Sequence, residues 1–147
     1  MTPEQEALRD ALASMPPRLA LVAGRLPDAD APLAPGEWSA REVTLHLIVV
    51  EGEVWQARLD ALVADEFPHW PWVEPGLWAG PGDGTFDSAV GVLAVARAAT
   101  IRRLDALDDA GWTHRGLHAT LGELDVAGLM RIALNHDKEH LAQFEQG

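Results

Sequence analysis

Six histidines punctuate the chain, and three of them stand where metal chemistry would need them: His46, His136 and His140. His136 and His140 are four residues apart, so on a helix both rings leave one face about a turn apart and can reach a single ion. Leu129, Ala133, His136, His140 and Phe144 follow one another at spacings of four, three, four and four, which aims the pair at the interior of a helical protein. Such a pair also arises as ordinary imidazoles, each satisfied by a hydrogen bond. His46 separates the two readings. It lies inside Leu45-His46-Leu47-Ile48-Val49-Val50, where an unpartnered imidazole would be costly. Three imidazoles in apolar surroundings predict ligation of one divalent ion by His46, His136 and His140, with coordination positions left for water or substrate. Imidazole suits zinc, nickel, iron, copper and cobalt, manganese is a further candidate, and nothing in the sequence selects among them.

Two local strings point elsewhere and are set aside. His136-Asp137-Lys138-Glu139-His140 fits the inverted zinc-peptidase pattern H-x-x-E-H, and nearly fits the zincin pattern H-E-x-x-H with Asp137 in place of glutamate. An inverted peptidase takes a further ligand well downstream, yet only seven residues follow His140. A zincin base would here be one methylene short. The third ligand therefore comes from upstream, at His46. Glu51 and Asp137 are the candidate catalytic groups. Asp137 adjoins a ligand and can orient an imidazole, or else be solvated or paired with Lys138 or Arg131. Glu51 and Glu53 would line a pocket mouth. His114 and His118 read as loop residues without a ligand role.

The elements that position these residues read as four helical segments. Thr2-Pro3-Glu4-Gln5 opens the first with a capping box and a proline at the first helical position, and Leu8, Leu12, Met15, Leu19, Val22 and Leu26 form its stripe. Pro16 and Pro17 predict a kink or restart there. Ser39 and Glu42 make a second capping box, opening a helix to about Ala64. The third helix spans about Asp87 to Leu107, with Leu93, Ala96, Thr100, Leu104 and Leu107 inward; the last starts after Asp125 and runs almost to Gln146. No run alternates apolar and polar residues, so no sheet is expected. His46 lies ~10 Å into its helix and the pair lies ~9–15 Å from the end of the last, at ~1.5 Å per residue, levels that agree if the two helices are antiparallel. That implies an all-α four-helix bundle in up-down-down-up order, with up-down-up-down as the alternative. The long segment Asp65–Thr85 supplies the crossover and, through Phe67, Trp70, Trp72 and Trp78, packs on the body or walls a substrate pocket.

Composition bounds the rest. At 147 residues the chain fits one domain, 1–147. Eleven Lys and Arg against 23 Asp and Glu give a net charge of −12, which argues against nucleic acid and anionic membrane surfaces as partners. The absence of cysteine excludes disulfides, Cys-ligated zinc, iron–sulfur clusters and thiol catalysis by the chain itself. No apolar run approaches a membrane span and no signal-peptide pattern opens the chain, so the default compartment is the cytoplasm.

Trp38-Ser39-x-x-Glu42 followed by His46-Leu47, then Gly122-Glu123-Leu124, then His136-Asp137-x-x-His140-x-x-Gln143, resembles the DinB-like (DinB/YfiT) superfamily over essentially the whole chain. The resemblance implies a four-helix bundle, often a homodimer, with a divalent metal held by His46, His136 and His140. It also implies thiol chemistry in some members, S-transfer of low-molecular-weight thiols among them. Ile48, Val49 and Val50 depart from the polar residue that members often carry after the histidine of the second helix. The function expected is a metal-dependent transferase or hydrolase acting on a small molecule, with any nucleophilic sulfur brought by substrate or cosubstrate. A non-catalytic metal- or ligand-binding stress-response protein is the alternative.

Overall fold

In the computed structural model, which describes residues 1–71 and 84–146, the capping boxes close as their chemistry predicts. The Thr2 hydroxyl accepts from the Gln5 N–H at 3.1 Å, and the Gln5 side chain accepts from the Thr2 N–H at 2.9 Å. Helix α1, Pro3–Ala23, follows and buries Leu8, Leu12, Met15 and Leu19. It runs unbroken through Pro16 and Pro17, so the restart expected there does not occur. Pro16 has no N–H for the carbonyl four residues back. That carbonyl, Leu12 O, instead accepts from Arg97 Nη1 at 2.9 Å.

Ser39 and Glu42 form the second capping box, with both bonds at 3.1 Å. The rod they start is α2, Ala40–Val50, then a π-helical stretch, Glu51–Gln56, then α3, Ala57–Val63. The sequence reading gives the extent of this rod but not its wide turn. Thr85 caps α4, Phe86–Asp105; Asp108 caps the short α5, Asp109–Trp112; and Asp125 accepts from the Gly128 N–H at 2.7 Å at the start of α6, Val126–Gln146.

A small sheet replaces the loop and connector that the sequence suggests. Strand β1, His69–Trp70, pairs in parallel with β2, Arg115–His118, which pairs antiparallel with β3, Gly122–Asp125. Apolar alternation is missing because the inward residues of β2 are Gly116 and His118, while Leu117 faces out. A Cβ on Gly116 would lie 2.7 Å from Trp70 Cη2, so the absent side chain is what lets the indole close over the strand. Trp72, Trp78 and most of the expected crossover lie outside the described residues.

The described chain is mostly helical. Helix α1 packs on α4 and α6, and α2 packs on α4. Arg41 bonds the carbonyl of Gly84, just before α4, while Glu51 and Asp60 of the second rod pair with Arg97 and Arg103 within it. Among the described residues no helix is long and apolar enough to cross a membrane.

Candidate metal centre

The Ser39 cap starts α2 so that His46 falls on the side of the rod turned toward α6. Its residue is 2% exposed and its ring lies 5.0 Å from that of Trp38. Opposite, one turn of α6 presents His136 and His140, both half-buried. The Nε2 atom of His136 is 3.4 Å from that of His46 and 3.3 Å from that of His140. Trp55, from the π-helical stretch, stands with its ring 6.0 Å from that of His136. The three histidines named from sequence are therefore together, one ligand atom from each lying within 4.8 Å of the others, and they can hold a metal ion.

The donor set fits such an ion. Bonds of ~2.0–2.1 Å in a tetrahedron put neighbouring ligand nitrogens ~3.3–3.4 Å apart, the separation of two of the three edges here. Protonation points the same way. His140 Nδ1 lies 2.7 Å from Gln143 Oε1, so the ring carries its proton on Nδ1 and turns the Nε2 lone pair toward His136. Burial, and then the charges that His140, His46 and Arg97 would add, lower the pKa of His136 to about 3. It is neutral at neutral pH, as a ligand must be. Its Nδ1 is buried without a hydrogen-bond partner among the described residues.

Behind the histidines lies a buried charge cluster. Arg97 Nε and Nη2 donate to the two oxygens of Glu51 at 2.9 and 2.8 Å; Nη1 and Nη2 donate to the two of Asp137 at 2.8 and 3.1 Å. Thr100 Oγ1 donates to Glu51 at 2.7 Å and accepts from Gln56 Nε2 at 3.1 Å. Residues five apart share one side of a π turn but stand about 140° apart on an α-helix. The wide turn is thus what brings both Glu51 and Gln56 to one threonine. Burial opposes the Arg97 charge, but the hydrogen bonds and charge of Glu51, then Asp137, hold its pKa above the ordinary value. Burial pushes the Asp137 carboxyl up, and Arg97 pulls it back only in part.

Glu51 and Asp137 are each 1% exposed. Glu51 is in the core rather than at a rim, and the partner of Asp137 is Arg97, not Lys138 or Arg131. Glu53 is exposed. The remaining histidines have other company: His114 Nδ1 meets Leu62 O at 2.7 Å, His118 Nδ1 accepts from the Thr120 and Leu121 N–H groups, and His69 packs on Phe67. Arg97, Thr100, Gln56 and Trp55 were missed. One signal was present for Arg97, since Leu93, Arg97, Thr100 and Leu104 recur at four, three and four, and an arginine on an apolar stripe needs buried partners.

Comparison with known proteins agrees with this architecture. A solved structure, YfiT from Bacillus subtilis, described as a probable metal-dependent hydrolase with an unusual four-helix bundle topology, superposes with a TM-score of 0.83. The match covers 98% of this chain and 85% of that one at 17% identity, and so speaks for the fold. No protein of curated function matches the sequence. The model of the DinB superfamily matches residues 4–144, nearly the whole chain, and the protein belongs to that superfamily.

Proposed function

We propose that the protein is a metal-dependent enzyme, a hydrolase or transferase of small molecules, whose single divalent ion is ligated through Nε2 by His46, His136 and His140. The observation that carries this reading is the convergence of three imidazole nitrogens, two of the separations being 3.3 and 3.4 Å, beside a ring whose proton is committed to Gln143. The hydrolase description of YfiT supports the same class. An ion held by three neutral ligands supplies a Lewis acid that lowers the pKa of bound water or of a bound thiol.

The chain's own residues do the positioning. Gln143 orients the His140 ring, Trp38 and Trp55 wall two of the imidazoles, and the half-buried faces of His136 and His140 leave an approach for substrate. With no cysteine in the chain, a transferase would take its sulfur from a low-molecular-weight thiol. Order within the bundle belongs to the same proposal. Arg41–Gly84, Glu51–Arg97 and Asp60–Arg103 rise together in number, and His46 meets both His136 and His140 where Trp55, further along the rod, meets His136. Both series support up-down-down-up. A homodimer, on family resemblance, and the cytoplasm as the default compartment complete the reading.

Metal analysis of protein purified without a His-tag, beside a His136→Ala variant, tests the centre. About one equivalent in the first and little in the second is expected. Equal, near-zero metal in both would reduce the histidines to a core cluster. Thiol titration of cobalt-loaded protein then tests the transferase form, which predicts a change in the absorption spectrum. No change, together with no turnover of small esters or amides, would leave a binding protein.

A further inference from the structure

The two helices that carry the three histidines have little direct contact. Helix α2 packs chiefly on α4, and α6 chiefly on α1. Yet ligation holds only if the nitrogens stay within about 0.5 Å of their productive places. The spacing between His46 and the α6 pair must therefore be set through a third element.

Arg97 of α4 is that link. It is 3% exposed, and all five of its N–H groups are used. Glu51 takes two of them, Asp137 takes two, and Leu12 O takes the fifth. Glu51 lies five residues beyond His46 in the same rod, and Asp137 lies between His136 and His140 on α6. The guanidinium is planar and grips each carboxylate with two bonds, so it fixes distance and rotation together. Thr100 and Gln56 keep the Glu51 end from turning. Pro16 frees the carbonyl that fixes the guanidinium to α1.

We infer that Arg97 is a positioning residue for the three-histidine centre, holding His46 in register with His136 and His140 through Glu51 and Asp137. The inference rests on the reading of those histidines as metal ligands. A purely structural role would make Arg97 matter for stability alone. A positioning role makes it matter for the geometry around the ion in protein that is still folded.

The test is titration of the full chain with cobalt(II), read by visible absorption, with helical content followed by circular dichroism. Wild type should bind cobalt with a histidine-ligand spectrum that His136→Ala abolishes. Arg97→Lys keeps the charge but loses the fork. It should retain helical content, bind cobalt about 10–100-fold more weakly, and give shifted bands. Leu104→Ala, a buried truncation on the same helix, should lower stability and leave the bands where they are. If Arg97→Lys does not fold, Asp137→Asn, equal in shape, loosens only the α6 end and should shift the bands in the same way. Wild-type bands and affinity in whichever variant folds would overturn the inference while leaving the metal centre standing. Wild type that binds no cobalt, or His136→Ala that binds as wild type does, would sink the metal reading and this inference with it.

Discussion

The imidazole of His118 shows how a single proton position can be fixed by backbone. Its Nδ1 accepts from the N–H groups of Thr120 and Leu121 at 3.0 and 3.1 Å, so a proton on that nitrogen would face two donors. Burial, and then the Arg58 charge, lower its pKa below the ordinary 6.5. The unfolded chain therefore takes up a proton, as pH falls below 6.5, that the folded chain resists. Stability from this residue is complete above that pH, begins to fall below it and is lost as pH falls through the lowered folded pKa. Amide exchange at Thr120 and Leu121, corrected for intrinsic rates, should quicken between pH 7 and pH 5 in wild type. A His118→Asn variant should show little such pH dependence; an equal rise in both would refute the assignment. At the same scale, His46, His136 and His140 could be named from sequence because spacing and apolar neighbours are written in the chain. The tautomer that Gln143 sets on His140 could not, because it depends on a rotamer.

Two elements depend on one small group each. Thr100 bridges Glu51 and Gln56 across the π turn, and Thr100→Val keeps the volume while removing both bonds. A loss of about 1–3 kcal/mol in urea unfolding is expected, since buried polar groups are left short of partners. A change below about 0.5 kcal/mol would mean that the turn holds without it. Gly116→Ala places a methyl group 2.7 Å from Trp70 Cη2 and 3.0 Å from the Pro68 carbonyl. Overpacking of that kind costs about 1–3 kcal/mol and should move the indole, visible as altered tryptophan fluorescence. These are also the elements that sequence did not disclose. Helix starts were legible because Thr2, Ser39 and Asp125 cap by local chemistry. The π turn was not, because Glu51–Gln56 is composed like any helix and widens to satisfy Thr100, 44 residues beyond Gln56. The hairpin stayed hidden because the buried residues of β2 are a glycine and a histidine.

Across the whole molecule, a net charge of −12 sets the range of partners. DNA binding at about 0.15 M salt should be undetectable by fluorescence anisotropy, because a polyanion meets mostly like charge. Measurable, salt-dependent binding would contradict the charge argument. The buried Arg97 has a consequence in time as well as in space. Its partners lie 40, 46 and 85 residues away along the chain, the last to be synthesised being Asp137. A nascent chain that ends before Asp137 holds a guanidinium with one carboxylate too few, and desolvating it early would be costly. The apolar stripes can collapse first, but the arginine has its full set of partners only after α6 has left the ribosome and docked.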